Sequence, residues 1–375
     1  MTTPTEKHPI QSTGINPGPM TEPQYATAAY DYKLPPELIA QEPPRERGKS
    51  RLLSLDREKK SMLDGTIDDL LRLIRPGDVL VLNDTKVVKA RLEGVRADTG
   101  GRVEMLFHKF GDGKAEALTK TRGFAPPGTK VVNRQDDGPP FSFTFGEKDA
   151  EGVRPIETGM TQAELFALLE ARGRTPLPPY IRRERGADPH DADDSLRYQT
   201  VFARTPGAAA APTAGLHLTP ALLTALEQAG VKTAHVTLHV GLGTFKPVAA
   251  ADLREHLMHE EHYELSPAAA DTINTARAAG GRVVAVGTTS VRTLETCATP
   301  EGLLVPGAGA TKIFIYPPYR FRAVDALLTN FHVPQSTLLM LVSAFLGRDR
   351  TFEAYRYAVA CRYRFLSYGD AMFIA

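Results

Sequence analysis

Residues 210–263 read AAPTAGLHLTPALLTALEQAGVKTAHVTLHVGLGTFKPVAAADLREHLMHEEHY, and the fold turns on how they are read. Ala234, Val236, Leu238 and Val240 alternate with Thr233, His235, Thr237 and His239, the period-two pattern of a strand that sends side chains to opposite faces. One face is apolar; the other carries two imidazoles and two hydroxyls. The strand runs into Gly241-Leu242-Gly243-Thr244, where glycines permit positive φ and close approach of a ligand to the backbone. Open α/β sheets place their ligands at such strand ends. Upstream, Thr219 and Pro220 read as N-cap and first residue of a helix over 221–229, stopped by Gly230. Downstream, His256, His259 and Glu260 fall three or four apart, so a helix there would gather them on one side.

Working outward, α/β texture continues on both flanks. Residues 79–82 form an apolar strand ending in Asn83-Asp84-Thr85, and Val283 to Val286 a continuous apolar run of the kind buried on both faces of a parallel sheet. The latter exits into Gly287-Thr288-Thr289-Ser290, with a helix expected over 290–297 and Arg292 in its first turn. Free N–H groups and the positive dipole end would make this an anion cradle or, more blandly, a hydroxyl-rich cap. A strand at 312–316 and another ending in Asn330-Phe331-His332 are expected, then an apolar helix over 336–345, a helix over 351–363, and a turn at Tyr368-Gly369-Asp370 before a terminal strand. Between 86 and 157 the texture changes to short alternating runs divided by Gly and Pro, which argues for a small antiparallel barrel inserted into the α/β part. The expected architecture is therefore α/β, a multi-stranded sheet flanked by helices over 30–85 and 158–375, with a β-barrel over 86–157. Residues 1–29 read as a disordered extension.

The 375 residues carry a formal net charge of +1, so contact with nucleic acid would depend on local patches. Two such patches stand out: Arg45, Arg47, Lys49 and Arg51, and the arginines around Pro178 with Tyr180 and Tyr198 among them. Each is either a solvated surface or a phosphate and stacking surface. Cys297 and Cys361 lie far apart without metal-ligand spacing, which favours a reducing, cytoplasmic setting. No apolar run is long enough to suggest a membrane span. Polar groups recur at expected strand ends: Asp84, His239, the Gly287 loop, Asn330, His332 and Asp370. Two chemistries compete there. His256, His259 and His262 with Glu260 or Glu261 could ligate a metal for hydrolysis, although the order M-H-E-E-H lacks the usual metalloenzyme spacings. Otherwise histidines titrating near neutrality could move protons beside a nucleotide-like ligand without a metal.

Residues 30–375 resemble the S-adenosylmethionine:tRNA ribosyltransferase-isomerases of queuosine biosynthesis. The matching stretches include DYKLPPELIAQ, PGDVLVLNDTKVVKARL, APTAGLHLT, HVTLHVGLGTFKPV, HLMHEEHYEL, VVAVGTTSVRTLE, VDALLTNFHVPQSTLLMLVSAF and YRFLSYGDAM. Leu218 stands where phenylalanine is expected and Pro318 where glycine is. The resemblance implies transfer and isomerisation of the ribosyl group of S-adenosylmethionine onto 7-aminomethyl-7-deazaguanine at the wobble position of a tRNA with a GUN anticodon. Epoxyqueuosine forms, and adenine and methionine leave. S-adenosylmethionine is then a consumed substrate, no cofactor or metal is expected, and the protein is expected to be a monomer. On the matching positions, His217, His239 and His259 become acid/base candidates and Glu260 a proton acceptor or sulfonium partner. Gly241, Gly243 and Thr244 become the nucleoside loop. Thr288, Thr289, Ser290 and Arg292 would hold a carboxylate or a phosphate, and Asn330, His332 and Asp370 would orient the base. Asp84, Thr213 and Gly215 complete the expected binding set. A non-catalytic RNA-binding protein is the further alternative.

Overall fold

The computed structural model describes residues 23–134, 138–183, 188–241 and 248–375. Most of the expected N-terminal extension lies outside them, but residues 23–29 correct it. Pro23–Tyr25 and Thr27–Tyr30 are 3-10 turns, and Thr27 is buried with its backbone N–H on the Ala251 carbonyl at 2.9 Å.

The chain opens with β1 (Arg51–Leu55), β2 (Met62–Thr66), the short helix α1 (Leu70–Leu73), β3 (Val79–Asn83) and β4 (Thr85–Val87). Next come β5 (Arg91–Arg96), β6 (Arg102–Phe110), β7 (Lys114–Thr121), β8 (Lys130–Val132), β9 (Ser142–Phe145) and β10 (Val153–Glu157), then α2 (Gln162–Arg172) and α3 (Asp191–Arg197). The rest comprises β11 (Thr205–Ala208), α4 (Pro220–Gln228), β12 (Lys232–His239), β13 (Glu261–Leu265), α5 (Pro267–Ala278), β14 (Val283–Val286), α6 (Thr288–Cys297), β15 (Gly307–Thr311), β16 (Ala326–Asn330), α7 (Thr337–Leu346), α8 (Arg348–Ala360) and β17 (Ala371–Ile374).

Nine strands form one mixed sheet in the order β15-β13-β12-β3-β14-β16-β17-β1-β2. Its centre, β12, β3, β14 and β16, is parallel. The pleat explains why β3 and β14 read as unbroken apolar runs. Val79, Val81, Val283 and Ala285 face a core shared with α5, α6 and α7, while Leu80, Leu82, Val284 and Val286 face a second core closed by α4. Helices thus cover both faces of the centre, and a strand buried on both sides has no polar face to show.

β5 to β10 close into an antiparallel barrel, ordered β10-β7-β6-β5-β8-β9. Its interior is filled by Val103, Met105, Phe107, Phe143, Phe145 and Ile156, with α2 sealing the same core through Leu165, Leu168 and Leu169. A capping box between Thr161 and Glu164 starts α2. Where the chain enters and leaves this unit, Arg91 and Arg174 exchange backbone hydrogen bonds of 3.2 and 2.8 Å.

Two expected elements differ. No helix gathers His256, His259 and Glu260: Leu253–Glu255 is a 3-10 turn, and β13 draws the following backbone into a ladder with β12 on one side and β15 on the other. The strand anticipated over 312–316 is instead β15, whose Gly-Ala-Gly-Ala sequence gives no alternation to read.

Candidate active site

Because β12, β3, β14 and β16 are parallel, their C-terminal ends, with His239, Asn83, Val286 and Asn330, emerge on one side of the sheet. A cavity of about 260 Å³ lies at this edge, the location favoured for ligands in such sheets. Residues 210–214, Val240, Gly287, Thr288, Thr289, Arg292 and residues 329–334 line it, together with Tyr180, Tyr198, Leu366 and Ser367.

The floor is the start of α6. Gly287, at φ 87°, turns the chain sharply from β14, and its N–H donates to the Leu328 carbonyl at 2.8 Å. That backbone conformation suits glycine. The helix begins at Thr288, two residues earlier than the sequence reading, so Thr288, Thr289 and Ser290 form its first turn, and among the described residues no side chain caps it. The leading N–H groups of a helix lack intrahelical acceptors. Ser290 donates its hydroxyl to the Val286 carbonyl at 2.9 Å. Thr289, by contrast, has a buried Oγ1 with no hydrogen-bond partner among the described residues, and it lines the cavity.

Arg292, expected to hold an anionic ligand, is engaged by the protein. Its guanidinium makes a two-pronged contact with Glu261, Nε to Oε2 at 2.9 Å and a terminal nitrogen to Oε1 at 3.0 Å, with both side chains buried. Glu261 is a site residue that the sequence reading missed in favour of Glu260. β13 alternates, so Glu261 points inward, while Glu260 is exposed and pairs with Lys312 at 3.6 Å.

On the opposite wall, Asn330 receives the Thr213 hydroxyl on Oδ1 at 3.1 Å. Its amide nitrogen reaches His217 Nε2 at 3.0 Å and the Leu366 carbonyl at 3.1 Å, and His217 Nδ1 meets Ser50 Oγ at 2.9 Å. His332 also lines the cavity, with Nε2 on Thr329 Oγ1 at 2.9 Å and its backbone N–H on the Tyr355 hydroxyl at 2.9 Å. Burial, then the nearby Arg292 cation, take His332 down to about 3; burial takes His217 to about 4. Both are neutral imidazoles at pH 7.

The cavity thus unites Thr213, Thr288, Thr289, Arg292, Asn330 and His332 of the expected set, while Ser290, in the same first turn of α6, does not line it. None of the four acid/base candidates, His217, His239, His259 and Glu260, lines it. His217 lies behind Asn330. His239 points away from Val240, its Nδ1 2.7 Å from Thr85 Oγ1, and a Cβ on Gly207 would come within 2.8 Å of its ring. His259 is exposed and is felt electrostatically by His108 of the barrel. Asp84 accepts from Thr237 at 2.7 Å and from Arg204 at 2.8 Å in a separate polar recess. Gly215 is a packing glycine, since a Cβ there would lie 2.7 Å from the Phe202 ring. Gly241 meets no such constraint, and Gly243 and Thr244 lie outside the described residues. Leu218 packs in the core closed by α4 and does not line the cavity.

Asp370 does not line the cavity either. Its carboxylate accepts the Arg51 N–H at 3.1 Å, the Arg364 N–H at 2.8 Å and the Arg364 guanidinium at 3.1 Å. It thereby shapes a basic groove of about 550 Å³ carrying Arg45, Lys49, Arg51, Arg362 and Arg364, with Glu46 as the other acid. The arginines near Pro178 also have protein partners: Arg183 is bound to buried Asp194 at 2.6 Å, Arg174 to Asp191 at 3.3 Å, and Arg172 reaches the Pro139 carbonyl. Among the described residues, no three His, Cys, Asp or Glu side chains converge as a metal site requires. His256 stacks edge-on to Phe314, and His262 lies on the exposed pleat of β13. Nor is any described helix long and apolar enough to cross a membrane.

Residues 27–374 match the family model described as queuosine biosynthesis protein. The chain belongs to that family. A relative from Moorella thermoacetica, named S-adenosylmethionine:tRNA ribosyltransferase-isomerase, is 51% identical over 353 residues, covering 92% of this chain and 98% of that one. A protein of the same name from Geobacter sulfurreducens is 49% identical over 359 residues, with the same coverage. Among solved structures, the S-adenosylmethionine tRNA ribosyltransferase of Thermotoga maritima matches at 36% identity and a TM-score of 0.52, covering 92% of this chain and 99% of its own.

Proposed function

We propose that this member of the queuosine biosynthesis family carries the activity its relatives are named for, moving the ribosyl group of S-adenosylmethionine onto a modified guanine-type base of tRNA and isomerising it. The observation that carries the reading is the uncapped start of α6 inside a buried cavity, with the Thr289 hydroxyl unpartnered beside it. A helix N-terminus attracts anions, and the methionine carboxylate is the anionic end of S-adenosylmethionine. Thr288, Thr289 and the N–H groups of the first turn would hold that carboxylate, and Arg292 with Glu261 would brace the floor. Asn330 on the far wall faces the base.

The reaction needs a proton removed from the carbon next to the sulfonium, whose positive charge acidifies it, and an acid for the departing adenine. His332 is the imidazole that lines the cavity, and we assign it, as a neutral ring, to accept the first proton in place of His217, His239, His259 and Glu260. S-adenosylmethionine is consumed as a substrate and serves as no cofactor. The RNA acceptor is a tRNA with a GUN anticodon carrying 7-aminomethyl-7-deazaguanine, and its phosphates follow the basic groove of Arg45, Lys49, Arg51, Arg362 and Arg364. A cytoplasmic monomer fits a tRNA substrate and the free thiols of Cys297 and Cys361. Mixing the protein with S-adenosylmethionine and tRNA bearing that base tests the reading: free adenine and methionine should appear in equal amounts, and their absence would refute it.

A further inference from the structure

Asn330 is 2% exposed at the end of β16, and both hydrogens of its amide are accounted for. One goes to the Leu366 carbonyl at 3.1 Å, and the other faces His217 Nε2 at 3.0 Å. Only an NH₂ group can approach a carbonyl oxygen, so Leu366 settles which way the amide lies. The orientation then dictates the imidazole tautomer: His217 Nε2 must accept, so the proton sits on Nδ1 and is donated to Ser50 Oγ at 2.9 Å. Leu366 is itself held at φ 72°, an unusual conformation for a residue with a side chain, and it lines the cavity. Backbone strain of this kind persists where the surroundings impose it and clusters at binding sites. What remains for the cavity is Oδ1, which takes the Thr213 hydroxyl on one lone pair and has a second to offer.

We propose that Asn330 is a specificity-determining residue, locked from behind so that it shows a ligand only a carbonyl acceptor, and that His217 is the positioning residue that holds it there. The group selected is an N–H donor on the edge of a purine-type base. Under the functional reading above, on which this inference rests, two bases bring such a donor: the adenine of S-adenosylmethionine and the deazaguanine of the RNA. A base without the hydrogen leaves the second lone pair of the buried oxygen unmet, which costs about tenfold in affinity.

The test uses two analogues, each lacking one amino group: S-adenosylmethionine with purine in place of adenine, and an anticodon stem-loop whose modified base has lost its 2-amino group. Wild-type protein should bind one of them about tenfold more weakly than its parent, and N330A should bind that analogue and its parent alike. The affected pair names the base. If wild-type protein binds both analogues as well as their parents, or N330A discriminates as well as wild type, the proposal fails. For His217, H217L should raise KM for the same substrate about tenfold with little change in kcat, and H217Q, which restores an acceptor, should recover most of it. The charged groups facing His217 are Asp370, Arg364 and Arg47, all untouched by these changes. The pH profile of kcat/KM should keep its shape in H217Q. A lost limb would make His217 a proton carrier and overturn the positioning role, as would a wild-type KM in a folded H217L. Absence of adenine release by wild-type protein would strike the functional reading alone, since the binding comparisons stand without turnover.

Discussion

Replacing Thr289 by valine separates binding from folding in a single substitution. The two side chains are near isosteres, and valine is readily held in a helix at one χ1 rotamer. Thr289 Oγ1 is buried and unpartnered among the described residues, so its removal takes no hydrogen bond from the protein. A buried polar group without a partner costs roughly 1–3 kcal/mol, so the variant should unfold at an equal or higher denaturant midpoint, a gain of up to about 1 kcal/mol. The ligand should suffer the opposite effect. If the hydroxyl serves the methionine carboxylate, the lost bond is to a charged acceptor and is worth about 1.5–3 kcal/mol, roughly a ten- to hundredfold rise in Kd. Calorimetric titration with S-adenosylmethionine and a urea unfolding curve read the two effects. Thr293→Val, one turn on, is the control: its hydroxyl donates to the Thr289 carbonyl at 3.2 Å, so it should lose a little stability and no affinity. A Thr289→Val protein that is clearly less stable yet binds S-adenosylmethionine normally would show that the first turn of α6 is architecture only.

Arg292→Met leaves Glu261 buried without its two-pronged partner, and breaking such a pair costs about 3–5 kcal/mol; a thermal melt should show it, and an unchanged melt would remove the pair from the account of the floor. Gly207→Ala places a methyl within 2.8 Å of the His239 ring, so an overpacking loss of about 1–3 kcal/mol is expected, with wild-type stability as the refuting result. For the basic groove, Arg45→Gln with Arg362→Gln should flatten the salt dependence of tRNA binding by roughly one to two in log–log slope; an unaltered slope would put the RNA elsewhere. Acid should unfold the protein partly through His217 and His332. Their folded values, about 4 and about 3, lie below the ordinary imidazole value of 6.5, so the unfolded chain binds more protons between these limits. Stability from them is full above pH 6.5 and falls as pH drops, by roughly 3 kcal/mol for His217 alone. H217Q and H332Q, compared with wild type at pH 7 and pH 5, should each show a smaller acid loss.

Much of the sheet was legible because β3 and β14 have no polar face and β12 alternates: Val283 to Val286 could be assigned without ambiguity, and the glycine after it marked the turn into α6. The candidate site was legible at strand ends and obscure between them. Choosing between Glu260 and Glu261 requires the register of β13, and a slip of one residue sends a side chain to the other face. The helical spacing of His256, His259 and Glu260 was real in sequence but lost to a ladder with partners more than twenty residues away, which no local pattern contains. His217 was expected to move protons and Asp370 to orient the base, and neither lines the cavity. Their work is to hold Asn330 and Arg364, relationships made by segments over a hundred residues apart for His217 and by a tight turn for Asp370.

The paired bonds between Arg91 and Arg174 mean that the chain departs for the barrel and returns at a single point of the scaffold. Seen from the sheet, the whole excursion is a side branch hung from one knot, and its length is invisible to the strands on either side. Such a branch could be enlarged or trimmed without renumbering a neighbour in the sheet, leaving the strand ends that line the cavity where they are.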